Sequence, residues 1–425
     1  MSSASGAPGN GGYPELPPSW RRVRVKSVSR RVTDGAHISP ETDGGVFDFV
    51  STRDVKNGTI DFAGSLKTSP DTYAYMVRTG CRPKRGDVLF SKDGSIGTTA
   101  LVVDDHNFVV ASSLIIVSPD QRRMTSRFLN FVFSSRPVAE QARTFTRGAG
   151  LPRISVANLA RIELPCPPLD EQRAIADYLD HETAQVDALV AKQEELIGLL
   201  RERQKAGVRI ATGWGHSLPD TWTSVRLSHL FSATGSGTTP ANEDILDAAA
   251  GDVAWVTTSE LRERQIYSTQ RAVSLSTVKK YSALKVYPAG TLLIAMYGAT
   301  IGRTGLLGVP AATNQACCAL VGPVGTSVEF VEYSLQAARE WLLLEASGGG
   351  QPNINQDKVR AFRIPVPPLD EQRAIVAHIS EQTSRIDALI AKAEEHIALA
   401  KERRSALITA AVTGKIDVRT ARMVG

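Results

Sequence analysis

The chain has few cysteines, no long apolar run and no visible signal peptide. Its 425 residues include four cysteines, and none stands in a Cys-x-x-Cys pair or beside a histidine cluster. This pattern argues against a disulfide framework or a zinc site and favours buried, reduced thiols. No apolar stretch approaches the ~20 residues that a membrane span needs. We therefore expect a cytoplasmic protein with no membrane partner and no metal of its own.

Sequence signatures of catalysis are also missing. The chain has neither a Gly-x-x-x-x-Gly-Lys-Ser/Thr phosphate loop nor the Asn-Pro-Pro-aromatic or Asp-Pro-Pro-Tyr phrase of base methyltransferases. Its seven histidines are scattered, so no Ser/His/Asp array is indicated. The triplet Asp54-Val55-Lys56 fits the Asp-x-Lys of some nucleases, but this short pattern is common by chance and lacks a correctly placed upstream acid. We predict a protein that is not an enzyme, with a stand-alone duplicated DNA-processing enzyme as the alternative.

Bulk composition leaves several classes of protein open. A hydrophobic content of 42% is ample for packed cores, and the length predicts two to four domains. The net charge of +5 fits a polyanionic partner but equally fits an ordinary basic protein. Residues 1–13, rich in Gly, Ser, Ala and Asn, are predicted to be disordered.

The most informative feature present is a tandem duplication. The phrase Pro-x-Pro-Pro-Leu-Asp-Glu-Gln-Arg-Ala-Ile occupies residues 165–175 and again residues 365–375. Between residues 165–203 and 365–403, 22 of 39 positions are identical. Two linked copies predict a function that depends on having both, and the repeat sets the domain boundaries.

Each repeated phrase is predicted to begin a long helix, residues 169–213 and 369–414. Asp170 and Asp370 are suitable N-cap residues after the Pro-Pro-Leu stop. Apolar residues then recur at heptad-like spacing, so each helix requires a partner helix. The predicted helix-helix packing residues are Leu179, Val186, Leu189, Ile197, Ile379, Ile386, Leu389 and Ile397.

A globular domain precedes each helix, residues 14–168 and 214–368, and residues 415–425 form a C-terminal tail. Short apolar runs separated by Gly and Pro predict mixed, β-rich domains. Both copies carry a Leu-Pro-x-x-Trp start, a Gly-rich turn (residues 94–97 and 298–302) and a Gly-x-Gly-x-Pro-x-Ile phrase before the helix. Ser112-Ser113 of the first copy is aligned with Asn314-Gln315 of the second. One scaffold with two different surfaces predicts recognition of two different things.

This doubled order of motifs over residues 14–415 resembles the specificity subunits of type I restriction-modification systems. The resemblance implies an α/β (α+β) fold with two target-recognition domains separated by two long antiparallel coiled-coil helices, related by a pseudo-two-fold axis. It implies a bacterial or archaeal subunit for phage defence that binds double-stranded DNA and two methyltransferase subunits, with two motor-nuclease subunits in complexes that restrict DNA. S-adenosylmethionine, ATP and magnesium are expected on those partners, with no cofactor here. A protein-only scaffold is the remaining alternative.

Polar residues in the loops are the candidate DNA-binding residues, because Arg and Lys suit guanine edges whereas Asn and Gln suit adenine. In the first copy, Arg22, Arg24 and Lys26 alternate with valines, which predicts a strand with a cationic face for phosphates or, as the alternative, a solvated edge strand. The loop candidates of the first copy are Lys92, Ser95, Arg147 and Arg153. Those of the second copy are Tyr297, Arg303, Asn314, Gln315, Gln351 and Asn353. A turn or capping role is the alternative for each.

The long helices predict a measurable ruler. About 37 residues at ~1.5 Å per residue give roughly 55 Å, about the length of 16 base pairs. Inserting four residues into one helix should lengthen the spacer between the half-sites without changing the half-sites themselves. Methylation mapping of that variant tests the idea, and an unchanged spacer would contradict it.

Overall fold

The chain folds as two compact units, each with one copy of the duplicated domain. The structure, a computed structural model, describes residues 15–56, 58–146, 153–215, 217–346 and 353–421. The units are Met1–Glu194 with Glu394–Gly425, and Glu195–Ala393. The predicted disordered segment lies outside the described residues. Within the ranges described, none of the helices has the length and apolar character of a membrane span.

Domain 1 (residues 15–168) is a mixed, β-rich domain, in agreement with the predicted fold class. Its strands are β1 (Arg21–Arg24), β2 (Ser29–Asp34), β3 (Phe47–Val50), β4 (Val55–Lys56), β5 (Thr59–Ile60), β6 (Leu66–Thr68), β7 (Val88–Ser91), β8 (Thr99–Leu101), β9 (Phe108–Val110), β10 (Leu114–Pro119) and β11 (Glu163–Cys166). Its helices are α1 (Val25–Val28), α2 (Pro70–Arg78), α3 (Ser126–Phe133), α4 (Arg136–Thr144) and α5 (Val156–Leu159).

Two main sheets organise domain 1. Strands β2, β10, β7 and β8 lie side by side in that order as an antiparallel sheet. Strands β6, β3 and β9 form the second sheet, in which β3 and β9 run parallel. The short pairs β1–β11 and β4–β5 complete the domain. Because β11 pairs with β1, the chain returns to the start of the domain just before the long helix begins.

The centre of the antiparallel sheet is buried on both faces. Val88 and Phe90 of β7 pack with Phe133 of α3 in one hydrophobic cluster, and the Phe90 and Phe133 rings meet edge to face at 5.3 Å. Leu89, between them in sequence, points into a separate cluster. Strands covered on both faces appear as continuous apolar runs rather than alternating patterns. The apolar run Val88-Leu89-Phe90 therefore contributes side chains to two hydrophobic clusters, one on each face of the sheet.

Domain 2 (residues 217–368) repeats this order of elements. Its strands are β12 (Thr223–Arg226), β13 (Phe231–Ser236), β14 (Leu246–Asp247), β15 (Val253–Val256), β16 (Gln265–Ile266), β17 (Arg271–Val273), β18 (Val286–Tyr287), β19 (Leu292–Ala295), β20 (Thr304–Leu307), β21 (Ala311–Thr313), β22 (Cys317–Pro323) and β23 (Arg363–Val366). The long helix α6 (Leu169–Ala211) precedes it. Its helices are α7 (Leu227–Leu230), α8 (Leu275–Lys280), α9 (Val328–Ala337), α10 (Arg339–Leu344) and α11 (Gln356–Ala361).

The two main sheets of domain 2 repeat the central strands of the two main sheets of domain 1. The order β13-β22-β19-β20, extended by β16, repeats the antiparallel sheet, and the parallel pair β15–β21 repeats β3–β9. Strand β23 pairs with β12 as β11 pairs with β1. Leu292 and Ile294 face one core, whereas Leu293 and Ala295 face another. The duplication seen in the sequence is therefore a duplication of topology.

The two long helices are α6 and α12 (Leu369–Val412), and a short helix α13 (Val418–Ala421) follows α12. Each begins one residue before the predicted N-cap, so Asp170 and Asp370 lie inside the first turn rather than capping it. The N-cap prediction was wrong by this residue. The carboxylates still lie near the positive end of the helix dipole, where negative charge is stabilising.

In the first unit, the first half of α6 packs antiparallel to the second half of α12. Arg404 donates through Nε and Nη2 to the two carboxylate oxygens of Asp187 at 2.9 and 3.2 Å. Farther along, Lys401 Nζ lies 3.8 Å from Glu194 Oε1. Residue numbers rise on one helix as they fall on the other, which defines the antiparallel direction.

The second unit repeats this contact with weaker chemistry. Gln204 Nε2 donates to Asp387 Oδ1 at 3.3 Å. In the 200-residue repeat, Gln204 corresponds to Arg404 and Asp387 to Asp187, so this bond is the counterpart of the Arg404–Asp187 pair. A groove of about 160 Å³ opens beside it, lined by Gly207 among others. At the corresponding position of the first unit, Leu407 packs against the core. At this position, therefore, the second helix pair lacks a side chain that the first one has.

Most of the predicted packing residues lie in these seams. Leu179, Val186, Ile197, Ile379 and Ile386 are buried, and Ile397 is partly buried. Leu189 and Leu389, however, are 48% and 53% exposed. The seam continues four residues beyond Val186 and Ile386, at Val190 and Ile390, which are partly buried. Leu189 and Leu389 each lie one residue earlier, and helical rotation of about 100° per residue turns them away from the contact. The predicted stripe was wider than the packed seam, and these two leucines are on the outer surface.

Each long helix is followed by a glycine that packs on a Leu-Pro-x-x-Trp motif. A Cβ on Gly213 (φ 77°) would lie 2.8 Å from Trp222, and one on Gly414 (φ 73°) would lie 2.4 Å from Pro17. Positive φ and close approach both require glycine. Because Gly414 follows α12 whereas Pro17 begins domain 1, the end of the chain packs against its start within the first unit.

The groove at Gly207 predicts a stabilising substitution. Nothing lies within 4 Å of a Cβ built on Gly207 or on the exposed helical Gly198. Replacing either glycine by Ala should raise the free energy of unfolding by about 1 kcal/mol through helix propensity. Gly207→Leu, which copies Leu407, should add further stability by filling the groove, whereas Gly198→Leu should add none over Gly198→Ala. Thermal melting of the four variants checks this, and equal gains for the two Leu variants would contradict it.

A mostly buried carboxylate in domain 2 makes its stability depend on pH. Glu332 of α9 accepts a hydrogen bond from Thr304 Oγ1 at 3.3 Å, and burial raises its pKa from 4.5 to about 7. The nearby carboxylates Glu263 and Glu329 act in the same direction. The folded state therefore holds a proton that the unfolded state releases between about pH 4.5 and 7, so stability falls as pH rises through this window.

Glu332→Gln should remove this dependence. The neutral amide avoids the buried charge, so the variant should exceed the parent in stability at pH 8, by up to about 3 kcal/mol, and match it near pH 4.5. Thermal melting from pH 4.5 to 8 measures the difference. Glu263→Gln at the exposed neighbour is the control and should leave most of the pH dependence in place.

Candidate nucleic-acid interface

Three segments of domain 1 converge at the end of strand β7. The loop between β7 and β8, residues 92–98, is here called glycine loop 1. Ile154 N donates to Lys92 O at 3.0 Å, and Lys92 N donates to Ser113 O at 2.9 Å. Asp93 and Arg153 also form an isolated antiparallel bridge. The structure thus brings two sequence-predicted segments, around Lys92 and Arg153, into direct contact.

Glycine loop 1 presents its polar tip through two left-handed glycines. Gly94 and Gly97 have φ of 66° and 92°, a region that favours glycine. Ser95 lies between them and is exposed, and its carbonyl accepts from the backbone and the hydroxyl of Thr98 at 3.2 and 3.0 Å. The backbone of Ser95 is fixed by the turn while its side chain faces solvent.

The two cations of this region have different environments. Arg153 is exposed, and its Nε donates to Asp93 Oδ1 at 2.6 Å. Lys92, in contrast, is only 5% exposed, and its Nζ lies 2.5 Å from Asp34 Oδ2, which His37 Nε2 also contacts at 2.9 Å. Burial acts to raise the pKa of Asp34, but the hydrogen bonds from Lys92 and His37 outweigh it and lower that pKa. Lys92 is therefore part of a structural ion pair. Contrary to the prediction, its charge is not presented to a ligand.

Domain 2 has the same convergence with different side chains. Ile354 N donates to Met296 O at 2.9 Å, Met296 N donates to Ala316 O at 2.8 Å, and Tyr297 forms the isolated bridge with Asn353. The loop between β19 and β20, residues 296–303, is called glycine loop 2. Tyr297 is 46% exposed, and Asn353 and Arg303 are partly exposed.

The structure separates the roles of the neighbours Asn314 and Gln315. Asn314 Oδ1 accepts from the backbone of Ala316 at 3.2 Å, which is a turn role. Gln315 is exposed, and its Oε1 accepts from Thr239 Oγ1 at 2.6 Å. This contact orients the Gln315 amide at the surface, and Thr239 belongs to a segment that sequence reasoning did not select.

Strand register corrects the alignment at this turn. Ala111 N donates to Val50 O, and Asn314 N donates to Val256 O, at matching points of the two parallel pairs. Ala111 therefore corresponds to Asn314, and Ser112 to Gln315. The sequence-based pairing of Ser112-Ser113 with Asn314-Gln315 was wrong by one residue, because two short apolar strands align equally well in either register.

The predicted cationic strand is shorter than expected. Strand β1 ends at Arg24, and Lys26 lies in the helical turn α1. Arg22 and Arg24 are exposed on the strand, as predicted, whereas Lys26 is exposed on a different element. The expectation of three cations on one strand face was therefore wrong for Lys26. The candidates Arg147 and Gln351 lie outside the described residues.

The nuclease-like triplet has a structural explanation. Asp54 is buried, and its Oδ2 accepts from the backbone and hydroxyl of Ser51 at 2.7 and 2.9 Å as part of a capping box. Thr257 and Glu260 form the corresponding box in domain 2. Across the described ranges, no group of His, Cys, Asp or Glu side chains could hold a metal ion. The acid of this triplet is thus used to cap a turn.

Comparison with known proteins decides the family. The profile of the type I restriction modification DNA specificity domain matches residues 20–197 and again residues 219–398. The chain belongs to this family. The two matches cover the two domains and most of both long helices, so the specificity domain occurs twice in one chain.

Relatives and solved structures agree with this assignment. The MjaVIII type I restriction enzyme specificity subunit of Methanocaldococcus jannaschii is 23% identical, covering 95% of this chain and 94% of its own. The EcoBI specificity subunit of Escherichia coli is 20% identical over 94% of this chain and 87% of its own. A solved chain of a type I R-M system superposes with a TM-score of 0.69 at 20% identity, and the HsdS subunit of Thermoanaerobacter tengcongensis with 0.52 at 20% identity. They cover 95% of this chain and 100% and 98% of their own, respectively, and share its fold.

For this specificity-domain chain, Arg24 and Lys92 provide a contrast between surface and buried cations. Arg24→Gln should reduce the slope of log affinity for DNA against log salt by about one if Arg24 contacts a phosphate. Lys92→Gln should lower the melting temperature, because Asp34 loses its partner, while the salt slope stays constant. Binding titrations between 50 and 200 mM salt give the slope. An unchanged slope for Arg24→Gln would instead assign it to the solvated edge of β1.

Proposed function

We propose that the chain is the DNA-recognition subunit of a type I restriction-modification complex and reads an asymmetric, bipartite duplex sequence, one half-site with each domain. The observation that carries the proposal is the repeated convergence of loops with different side chains at equivalent positions. Lys92, Asp93 and Arg153 in domain 1 correspond to Met296, Tyr297 and Asn353 in domain 2. One scaffold with two chemistries is suited to two different half-sites.

The exposed candidate residues of the two domains are suited to different bases. Arg153 and Ser95 offer a guanidinium and a hydroxyl, and a guanidinium pairs well with the O6 and N7 acceptors of guanine. Tyr297, Asn353 and Gln315 offer a phenol and two amides, and an amide pairs well with the N6 and N7 of adenine. Arg22, Arg24 and Lys26 are proposed phosphate contacts, which position the protein without reading sequence.

The outer faces of the long helices within each unit are the proposed docking surfaces for two methyltransferase subunits. Leu189 and Leu399 in the first unit, and Leu196, Leu199 and Leu389 in the second, are 43–63% exposed. Leucines left outside a helix seam favour further helix packing. Because Leu189 and Leu399 of the first unit recur as Leu389 and Leu199 of the second, one site in each unit is expected. S-adenosylmethionine, ATP and magnesium belong to the methyltransferase and motor-nuclease subunits in this proposal, and catalysis occurs there.

Variants in the two domains test the assignment of half-sites. The full chain is produced with a type I methyltransferase subunit, and methylated adenines are mapped in the host genome. Arg153→Ala should change only the half-site read by domain 1, and Asn353→Ala only the other half-site. Changes in both halves from either variant, or in neither from both, would overturn the proposal.

Assays of the purified chain, alone and with the methyltransferase subunit, address the alternatives. Cleavage or methylation of DNA by the chain without partners would support a stand-alone enzyme. In another outcome, a shift of labelled DNA appears only when the methyltransferase subunit is added. If competitor DNA of the mapped sequence then fails to reduce that shift, the result would support a protein-only scaffold. Our proposal expects neither result.

A further inference from the structure

A buried glutamine joins each long helix to the domain that precedes it. Gln172, in the first turn of α6, is 0% exposed. Its Nε2 donates to the carbonyl oxygens of Pro167 and Arg123, both at 2.9 Å, and its Oε1 accepts from the backbone of Thr125 at 2.8 Å. One side chain thus links the Pro-Pro-Leu segment, the first turn of α6 and the entry to α3.

The second copy has the same joint. Gln372, in the first turn of α12, is 1% exposed. Its Nε2 donates to Pro367 O at 2.9 Å, and its Oε1 accepts from Ser327 N and Thr326 Oγ1, both at 2.9 Å. Ser327 precedes α9 as Thr125 precedes α3, so the glutamine links equivalent elements in both units. We call Gln172 and Gln372 the two joint glutamines.

Glutamine suits this position because its amide is both donor and acceptor. Each joint glutamine uses both amide functions on main-chain groups that lie outside regular hydrogen-bonding ladders. A buried backbone group left without its partner is destabilising, because it has lost its hydrogen bonds to water and gains none in the fold. Removing the amide should therefore loosen the attachment between helix and domain rather than only remove surface contact.

We propose that Gln172 and Gln372 are positioning residues that hold each recognition domain at a set angle on its helix, and thereby determine which spacer length the protein accepts. The proposal rests on the function proposed above. A domain of about 150 residues is roughly 35 Å across, so a rotation of about 5° at its base moves its far side by roughly 3 Å. That displacement is close to the ~3.4 Å rise of one base pair. A small loss of rigidity at the joint is therefore enough to reduce the protein's selectivity between spacers that differ by one base pair.

Spacer selectivity, rather than affinity alone, tests the role of the joint glutamines. The full chain with its methyltransferase partner is titrated against duplexes that carry both mapped half-sites with the native spacer or with one base pair more or less. Gln172→Met and Gln372→Met keep similar volume but lose all three hydrogen bonds. Each should reduce the preference for the native spacer about tenfold, while the half-site sequences preferred by the complex stay unchanged. Gln270→Met, at an exposed position of domain 2 outside both long helices, is the matched control and should leave the preference intact.

A milder substitution keeps the test decisive if a joint variant does not fold. Thr326→Val removes one hydrogen bond to Gln372 and should shift the spacer preference in the same direction by a smaller factor. Equal loss of affinity for all three spacers, with a lower melting temperature, would assign the glutamines a purely structural role and overturn the inference. Unchanged preference in folded variants would do the same. If the parent complex itself fails to bind a bipartite site, the proposed function falls first and the joint role with it.

Discussion

The pairing of each long helix with the opposite half of the other is the constraint on which the rest depends. Neither α6 nor α12 can bury its apolar stripe alone, because a single amphipathic helix leaves that stripe in water. Within the first unit, the Arg404–Asp187 pair and the packing of Gly414 on Pro17 bring the end of the chain to its beginning. The second unit makes the same contacts through Gln204, Asp387 and Gly213. Each unit of the duplicated chain therefore combines one domain with a segment of each long helix.

Divergence between the copies follows from what each position must do. Gln172 and Gln372 bind two equivalent backbone groups in both units, a proline carbonyl before the long helix and an amide before α3 or α9, so the same side chain is present twice. The loop ends, in contrast, keep the backbone bridge and change the side chain, as Asp93 and Arg153 become Tyr297 and Asn353. Backbone hydrogen bonds hold these loops without regard to side-chain identity. The recognition chemistry can therefore vary while the scaffold stays constant, as the proposed reading of two half-sites requires.

Sequence reasoning was most successful where a pattern had a regular period or a local cause. The long helices, the two β-rich domains and most seam residues followed from repeats and heptads, because helical rotation converts spacing into a face. It was weakest for side chains whose environment is made by distant segments. Lys92 looked like a reader but is buried against Asp34, which is 58 residues away in sequence. Gln315 depends on Thr239 for its orientation, and the register that matches it with Ser112 depends on which strands pair in parallel.

The sequence by itself determined that the chain is duplicated and that each copy ends in an amphipathic helix whose apolar stripe requires a partner helix. It also determined that loops with different polar residues follow equivalent strands. These properties are local or periodic, so they can be predicted from the amino-acid sequence. Tertiary structure alone decided that Leu189 and Leu389 remain outside the seam, that Lys92 is structural whereas Arg153 is exposed, and that a glutamine in the repeated Pro-Pro-Leu-Asp-Glu-Gln phrase joins helix to domain. Burial and hydrogen-bond partners arise from segments far apart in the chain, and only the folded chain brings those segments together.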